Sequence, residues 1–331
     1  MWYKEISKDS DVVISTRLRF ARSIDGYKFP NIMKKKEKQN LLDKVKNSIN
    51  LKEYNFFKTE DIDETTLGSL VEEHLISKEL LDLSDTAIVT NKDSSIVAML
   101  NEEDHLRIQA FESGFDIDKC YNNLISFIDK LEEKLKFSYS DKYGYITSCP
   151  SNVGAAMRVS VMLHLPALAR LGLLPKIIDE ATSFGLSVRG LYGENTSGYG
   201  HIYQVSNRQT LGLSDDEIIN KIKAIVGTII SQERKARNVL KENSIYLSDE
   251  IYRALGILKN ARIMSEDEAF KLLSKLRLGV SMKIVNEVSL EKVQSLMVDT
   301  QENTLKTIIK EDLSKEEEDI KRAEYVREEL K

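Results

Sequence analysis

The sequence predicts an α+β chain in which short strand-like segments alternate with helices up to about residue 212, and helices alone follow from Ser214. Three observations carry this. Arg158-Val-Ser-Val-Met-Leu-His-Leu165 alternates strictly and puts Val159, Val161, Leu163 and Leu165 on one face, the signature of a half-buried strand. Leu186–Gly193 and His201–Asn207 are two further β-prone runs, joined by Glu194-Asn-Thr-Ser-Gly-Tyr-Gly200, whose composition suits a long hairpin tip. Ser214 with Glu217, Ser265 with Glu268 and Ser314 with Glu317 are Ser-x-x-Glu capping boxes, so three helices begin there.

The remaining elements follow in order. Ser15-Thr-Arg-Leu-Arg19 is extended, which sends Arg17 and Arg19 to the same side. Ser95–Leu100 is β-prone and runs into the polar group Asn101-Glu-Glu-Asp-His105, expected to leave the sheet as a tight loop. Thr147-Ser-Cys-Pro-Ser-Asn-Val-Gly154 is a strand end followed by a Cys-Pro turn, and Asn207 reads as a turn or structural residue. The helix starting at Ser214 is expected to pack on the sheet. A boundary near 240 then separates residues 1–240 from a helical 241–331, where Lys315-Glu-Glu-Glu-Asp319 reads as a solvated helix start with acid at its positive end.

Composition narrows the chemistry. With 331 residues, 41% hydrophobic and only 4 Pro, the chain folds around a real core. Its 48 Lys+Arg against 53 Asp+Glu exclude a global basic field for nucleic acid, so an anion site must be local. Two cysteines, Cys120 and Cys149, and four scattered histidines offer no disulfide framework or zinc-ligand spacing, so no direct metal ligands are expected. The longest apolar stretch, Val161 to Leu174, is broken by His164 and Arg170, and the N-terminus lacks a signal segment; the expectation is a soluble cytoplasmic protein without membrane contact.

Walker, Rossmann and His-Arg-Asp fingerprints are absent. Instead, Arg17, Arg19, Arg107, Arg158 and Arg189 lie on or beside strand-like segments, and guanidinium forks bind phosphate oxygens bidentately without losing their charge. Three consecutive acids after an apolar strand are costly to gather unless solvated or serving a cation. Cys149 has no plausible paired histidine, which disfavours a cysteine nucleophile.

In order along the chain, Ser15-Thr-Arg-Leu-Arg19, Asn101-Glu-Glu-Asp-His-Leu-Arg107, Cys149-Pro-Ser-Asn-Val-Gly154 with Arg158, and Val188-Arg-Gly-Leu-Tyr-Gly-Glu194 strongly resemble the phosphagen (guanidino) kinase family. Val71-Glu-Glu-His-Leu-Ile-Ser77 and Met162-Leu-His-Leu-Pro-Ala-Leu168 are similar to its bacterial protein-arginine kinase branch. The resemblance implies an antiparallel sheet flanked by helices, in the glutamine-synthetase-like catalytic fold, followed by a helical C-terminal domain. It implies transfer of the γ-phosphoryl of Mg-ATP to a guanidinium nitrogen. Small-molecule members carry a helical lid of about a hundred residues before the first motif; here that motif begins at residue 15, so an open site admitting a protein-borne arginine is expected.

The resemblance also distributes roles. Glu103 and Glu194 become the carboxylates that grip and deprotonate the guanidinium, and Cys149 the thiol beside it. ATP contacts fall on Ser15, Thr16, Arg17, Leu18, Arg19, His74, Arg107, Arg158, Val159, Ser160, Val161, Met162, Arg189, Gly190, Leu191, Tyr192, Gly193 and Glu194. The branch's C-terminal phosphoarginine motif, Arg-Asp-x-x-Arg-Ala, is degenerate here: Glu318 replaces the first Arg, while Asp319, Arg322 and Ala323 stand, so weakened or lost recognition is expected. Implied partners are protein substrates with accessible arginines, a zinc-binding activator protein, a Clp-type protease system in stress regulation, and a second copy in a homodimer. A free-arginine kinase and a catalytically idle phosphoarginine-binding adaptor are the alternatives; the early first motif disfavours one and the intact arginines and acids the other.

Overall fold

The computed structural model describes residues 1–190, 199–241, 244–311 and 313–331. Its strands are β1 (Val13–Arg22), β2 (Tyr54–Lys58), β3 (Ala87–Asn91), β4 (Ile96–Leu100), β5 (Leu106–Ser113), the short pair β6 (Tyr139–Ser140) and β7 (Gly144–Tyr145), then β8 (Met157–His164), β9 (Leu186–Gly190) and β10 (Ile202–Asn207). The helices are α1 (Lys35–Ser48), α2 (Glu64–Glu72), α3 (Ile117–Glu132), α4 (Pro166–Arg170), α5 (Leu174–Ser183), α6 (Asp215–Lys241), α7 (Ser244–Asn260), α8 (Glu266–Ser281), α9 (Leu290–Asp299), α10 (Glu302–Ile309) and α11 (Lys315–Glu329).

Eight strands form one sheet in the order β2-β3-β4-β5-β1-β8-β10-β9, and every neighbouring pair is antiparallel. The expected antiparallel α+β architecture is therefore present. β1 lies inside the sheet between β5 and β8, and its alternation decides what each face becomes. Leu18 and Phe20 enter an apolar layer under α1, α3, α5 and α6, together with Ile108, Val159, Val161 and Leu163. Arg17 and Arg19 point to the opposite face.

α3 shows how such a layer is read from sequence. Asp116 accepts from the Lys119 amide at its N-terminus, and Ile117, Cys120, Leu124, Phe127, Ile128 and Leu131 recur along one stripe that is buried. The Ser-x-x-Glu sites behave as expected: Ser214 and Glu217 bond reciprocally before α6, Ser314 and Glu317 do so before α11, and Ser265 accepts from the Glu268 amide before α8.

The arginine-bearing face has its own apolar layer at one end. Met99, Phe111 and Met162 pack there with the N-terminal turn at Trp2 and Tyr3 and with Leu273, Leu276, Leu296 and Val326 of the C-terminal helices. This corrects the half-buried reading of β8: only Arg158 is partly exposed along that strand, because the C-terminal helices cover the face that alternation leaves polar. His164 sits against Ser274 of α8 (3.0 Å), and fully buried Arg277 donates to the carbonyls of Ser10 (2.7 Å) and Asp11 (3.2 Å).

A second junction joins α2 to α10. The Glu72 carboxylate accepts from the backbone amides of Asn303 (2.9 Å) and Thr304 (2.7 Å), satisfying first-turn donors that α10 cannot satisfy itself. The helices approach so closely that a Cβ on Gly68 would lie 2.4 Å from the Asn303 side chain. The solvated reading of 315–319 also needs correction. Glu316 and Glu317 are exposed, but Glu318 is buried and paired with Lys306 (2.9 Å) and Lys315 (3.0 Å), since α10 packs over that turn.

Candidate active site

Strand register builds the site. Arg19 stands opposite Arg158, Arg17 opposite Ser160, and Ser15 opposite Met162, giving three rungs on one face; Arg107 lies across from Ala21 on β5 and Arg189 across from Gln204 on β10. Among the described residues Arg17 is oriented by neutral groups, donating to Gln204 Oε1 (3.0 Å) and Ser160 Oγ (3.3 Å), and Arg158 donates to Ser206 Oγ (3.0 Å). The buried Nε of Arg158 has no partner among the described residues. Burial, with Arg107 and Arg158 nearby, pushes Arg17 down to about 9. Burial and the charges of Arg17, Arg107 and Arg158 push Arg19 well below its ordinary value. Burial, Arg189 and Arg107 lower Arg158 as well. Because guanidinium keeps its proton in proteins, the row is a concentrated positive charge that an anion would relieve.

The three acids between β4 and β5 divide by partner. Glu102 accepts from Arg107 (2.6 Å) and Ser77 Oγ (2.5 Å); burial opposes its ionisation, but Arg107 and Ser77 outweigh that and hold it below the usual carboxylate range. Asp104 accepts from Ser23 Oγ (3.0 Å) and the Ser148 amide (2.6 Å), tying the acid turn to the Cys149 turn, and burial raises its pKa. His105 is buried and accepts from the Ile24 amide at Nδ1 (2.8 Å), while Nε2 donates to the Lys28 carbonyl (2.7 Å), so it is a neutral structural group. Glu103 alone of the three is exposed, with no side-chain hydrogen bond or ion pair among the described residues. It lines a cleft with Arg19, Arg107, Arg158 and Asn152.

Residues 32–236 match the family model described as ATP:guanido phosphotransferase, C-terminal catalytic domain. The chain belongs to that family. Residues 244–331 match the Protein-arginine kinase McsB C-terminal domain. The chain is 41% identical to a protein-arginine kinase of Clostridium acetobutylicum, with 100% of this chain and 99% of that protein covered. It is 37% identical to one of Shouchella clausii, covering 100% and 94%. The fold is similar to the duplicated taurocyamine kinase of Schistosoma mansoni solved with transition state analog components, at TM-score 0.61 and 31% identity. That likeness spans 68% of this chain and 33% of the duplicated one. Lombricine kinase, at 20% identity, TM-score 0.61 and 70% of each chain, is similar in fold.

Against the guanido phosphotransferase pattern, the structure brings Ser15, Arg17, Arg19, Arg107, Arg158, Ser160, Met162 and Glu103 onto one face. It does not bring every expected contact there. Leu18, Val159 and Val161 point into the opposite apolar layer, and Thr16 is buried with its hydroxyl donating to the Gly114 carbonyl (2.7 Å), so these offer a ligand no side chain on the arginine face. Leu191, Tyr192, Gly193 and Glu194 lie outside the described residues; Gly190 closes β9. His74 shares a small cavity with Trp2, Arg17 and Met162; its φ is +61°, and burial and Arg17 push its pKa down to about 4. Cys149 is half-buried, with Sγ 3.0 Å from Ser151 Oγ. Asn207 is structural, as read: it accepts from the Val159 amide (2.8 Å) and donates to the Met157 carbonyl (3.0 Å).

Sequence reading missed Trp2 and Gln204, which carry no local motif and join the site only through tertiary packing and strand register. At the degenerate C-terminal motif, Arg322 is fully buried and donates to the carbonyls of Thr300 (2.8 Å) and Met264 (3.1 Å) and to Asp319 (2.5 Å).

Proposed function

We propose that this guanido phosphotransferase moves the γ-phosphoryl of ATP onto a guanidinium nitrogen of arginine side chains in proteins, using Glu103 and the arginine row. The observation that supports this most directly is the carboxylate of Glu103, unpaired among the described residues, beside Arg19, Arg107 and Arg158, while both adjacent acids are occupied.

A guanidinium is a poor nucleophile because its lone pairs are delocalised. Glu103 orients it through charge-assisted hydrogen bonds and takes one proton as the nitrogen attacks. The N–P bond forms while the bond from the γ-phosphorus to the ADP oxygen breaks. The loose transition state spreads its charge over equatorial oxygens, which the five arginines neutralise from a fixed scaffold. Glu194, by family resemblance, supplies a second carboxylate, and Cys149 a thiol near the acceptor. Mg²⁺ enters as the nucleotide's counterion on its phosphate oxygens, since the row offers guanidinium donors rather than carboxylate ligands. The division into a catalytic 1–240 and a helical 241–331 belongs to the same reading, as do cytoplasmic action, a zinc-binding activator, a Clp-type protease, a homodimeric state and weakened phosphoarginine recognition at Asp319 and Arg322. Among the described residues no helix is long and apolar enough to cross a membrane.

The test is incubation with γ-labelled ATP and Mg²⁺ together with either an unfolded protein or free arginine. Acid-labile label on the protein is the expected result. Label on free arginine alone transfers the reading to a small-guanidine kinase, and no label on either overturns it.

A further inference from the structure

Beyond the Glu103 end of the arginine row lies a second, largely apolar hollow. Past Arg19, β1 continues through Ala21, still on the wall of the catalytic cleft, to Arg22, whose guanidinium carbon is 3.5 Å from the centre of the Tyr145 ring. Tyr145 lines an open groove of about 600 Å³ between the β6–β7 hairpin and residues 211–215. The two hollows share one wall. Asn152 and Ala156 face the cleft, and Gly154 and Ala155 between them face the groove.

The floor of the groove is fixed by its backbone. Tyr145 and Gly154 exchange both amide hydrogen bonds (2.9 and 3.2 Å), and a Cβ on Gly144 would lie 2.6 Å from the Gly154 carbonyl oxygen. With φ of +78° and +113°, Gly144 and Gly154 are where only glycine fits without strain. Over this floor, Tyr139 is 61% exposed, Tyr143 48% and Leu211 46%. Ring and aliphatic surface gathered in one hollow is unfavourable in water and marks a place that a partner covers.

We propose that this groove is a docking subsite for the polypeptide that carries the acceptor arginine, and that it takes an apolar or aromatic side chain a few residues from that arginine. The inference rests on the reading that arginines of proteins are the acceptors. Position selects this occupant. In-line transfer puts the acceptor nitrogen and the ADP oxygen on opposite sides of the γ-phosphorus. With that phosphorus beside Glu103 and Arg19 and the nucleotide along the row toward Ser15, the acceptor enters from the Ala21 and Asn152 side, where the groove begins. An extended chain advances about 3.3 Å per residue, so two to four residues lead from the cleft into the groove. Tyrosine rings suit such a contact, because they supply area with few rotors to freeze. Free arginine has no flanking residue and gains nothing from the subsite, which therefore favours polypeptide acceptors.

Single-arginine peptides test this. One set carries a phenylalanine two, three or four residues to either side of the arginine, and a matched set carries serine there. With wild type, the best phenylalanine position should lower KM about tenfold against its serine match and leave kcat within about twofold, since the subsite does not touch the reacting atoms. Tyr143→Ser combined with Leu211→Ser should abolish that advantage while the serine peptides and the KM for ATP stay within about twofold. Tyr139→Ser is the second variant should the double one not fold. Equal KM for phenylalanine and serine peptides in wild type, or an undiminished advantage in the variants, overturns the inference and leaves the proposed function standing. An undiminished advantage together with a loss of sedimenting mass assigns the groove to contact between copies of the chain instead. Absence of label on every peptide overturns the proposed function, and the inference with it.

Discussion

Arg322 on α11 is fully buried and Arg17 on β1 half-buried, and their surroundings are opposite. Arg322 is matched by two carbonyls and the Asp319 carboxylate, whereas among the described residues Arg17 donates to the neutral Ser160 and Gln204 alone and has Arg107 and Arg158 as charged neighbours. The same contrast separates Glu318, paired with two lysines, from Glu103, paired with none among the described residues. Compensated charge holds the C-terminal helices together; uncompensated charge in the cleft is charge available to a ligand.

Several substitutions break or sharpen that contrast. Replacing Glu103 with Gln should lower kcat by about 10²–10⁴-fold while leaving the melting temperature unchanged, because the carboxylate supports catalysis and no contact; steady-state kinetics with a differential melt checks both halves. Arg322→Met should do the reverse. Removing one side of a buried ion pair costs about 3–5 kcal/mol, so the loss should appear in chemical denaturation with activity per folded molecule retained. Arg19→Ala should remove about 2–4 kcal/mol of transition-state stabilisation, read in kcat/KM. Its fold should be at least as stable as wild type, since repulsion from Arg17, Arg107 and Arg158 is relieved.

A smaller effect concerns His74. Its folded pKa of about 4 lies below the ordinary 6.5, so the unfolded chain takes up a proton first as pH falls. The stability it contributes is present above pH 6.5 and is lost toward pH 4, at about 1.4 kcal/mol per pH unit in that window. His74→Asn, which tolerates the left-handed backbone, should flatten the pH dependence of unfolding by one proton. The smallest expected change is none: phosphoarginine added to the wild type should leave the rate within about twofold, because the remaining Arg322 is fully buried and already committed to two carbonyls and the Asp319 carboxylate.

How far the site was legible follows from the range of the interactions. The comb of Arg17 and Arg19 was readable because alternation is a local period, and so were the helix starts, whose caps lie three residues apart. The division of labour among Glu102, Glu103 and Asp104 was not, because besides nearby Arg107 it is decided by Ser77, Ser23 and Ser148, which lie 25, 81 and 44 positions from the acids they serve. β8 looked half-buried because nothing near it announces α8, whose Ser274 meets His164 across 110 positions. Trp2 carries no periodic or motif signal; only the shared apolar layer between the chain's two ends brings it beside His74 and Met162.

The carboxylate of Glu72, reaching 231 positions along the chain to the first turn of α10, bears on how freely the two halves could be recombined. A C-terminal segment grafted onto a foreign catalytic half would start α10 with bare amides unless the host's second helix ended in an acid, with a glycine four residues earlier to let Asn303 approach. Chimeras joined near residue 240 should therefore succeed or fail on a pair of host residues far from the splice.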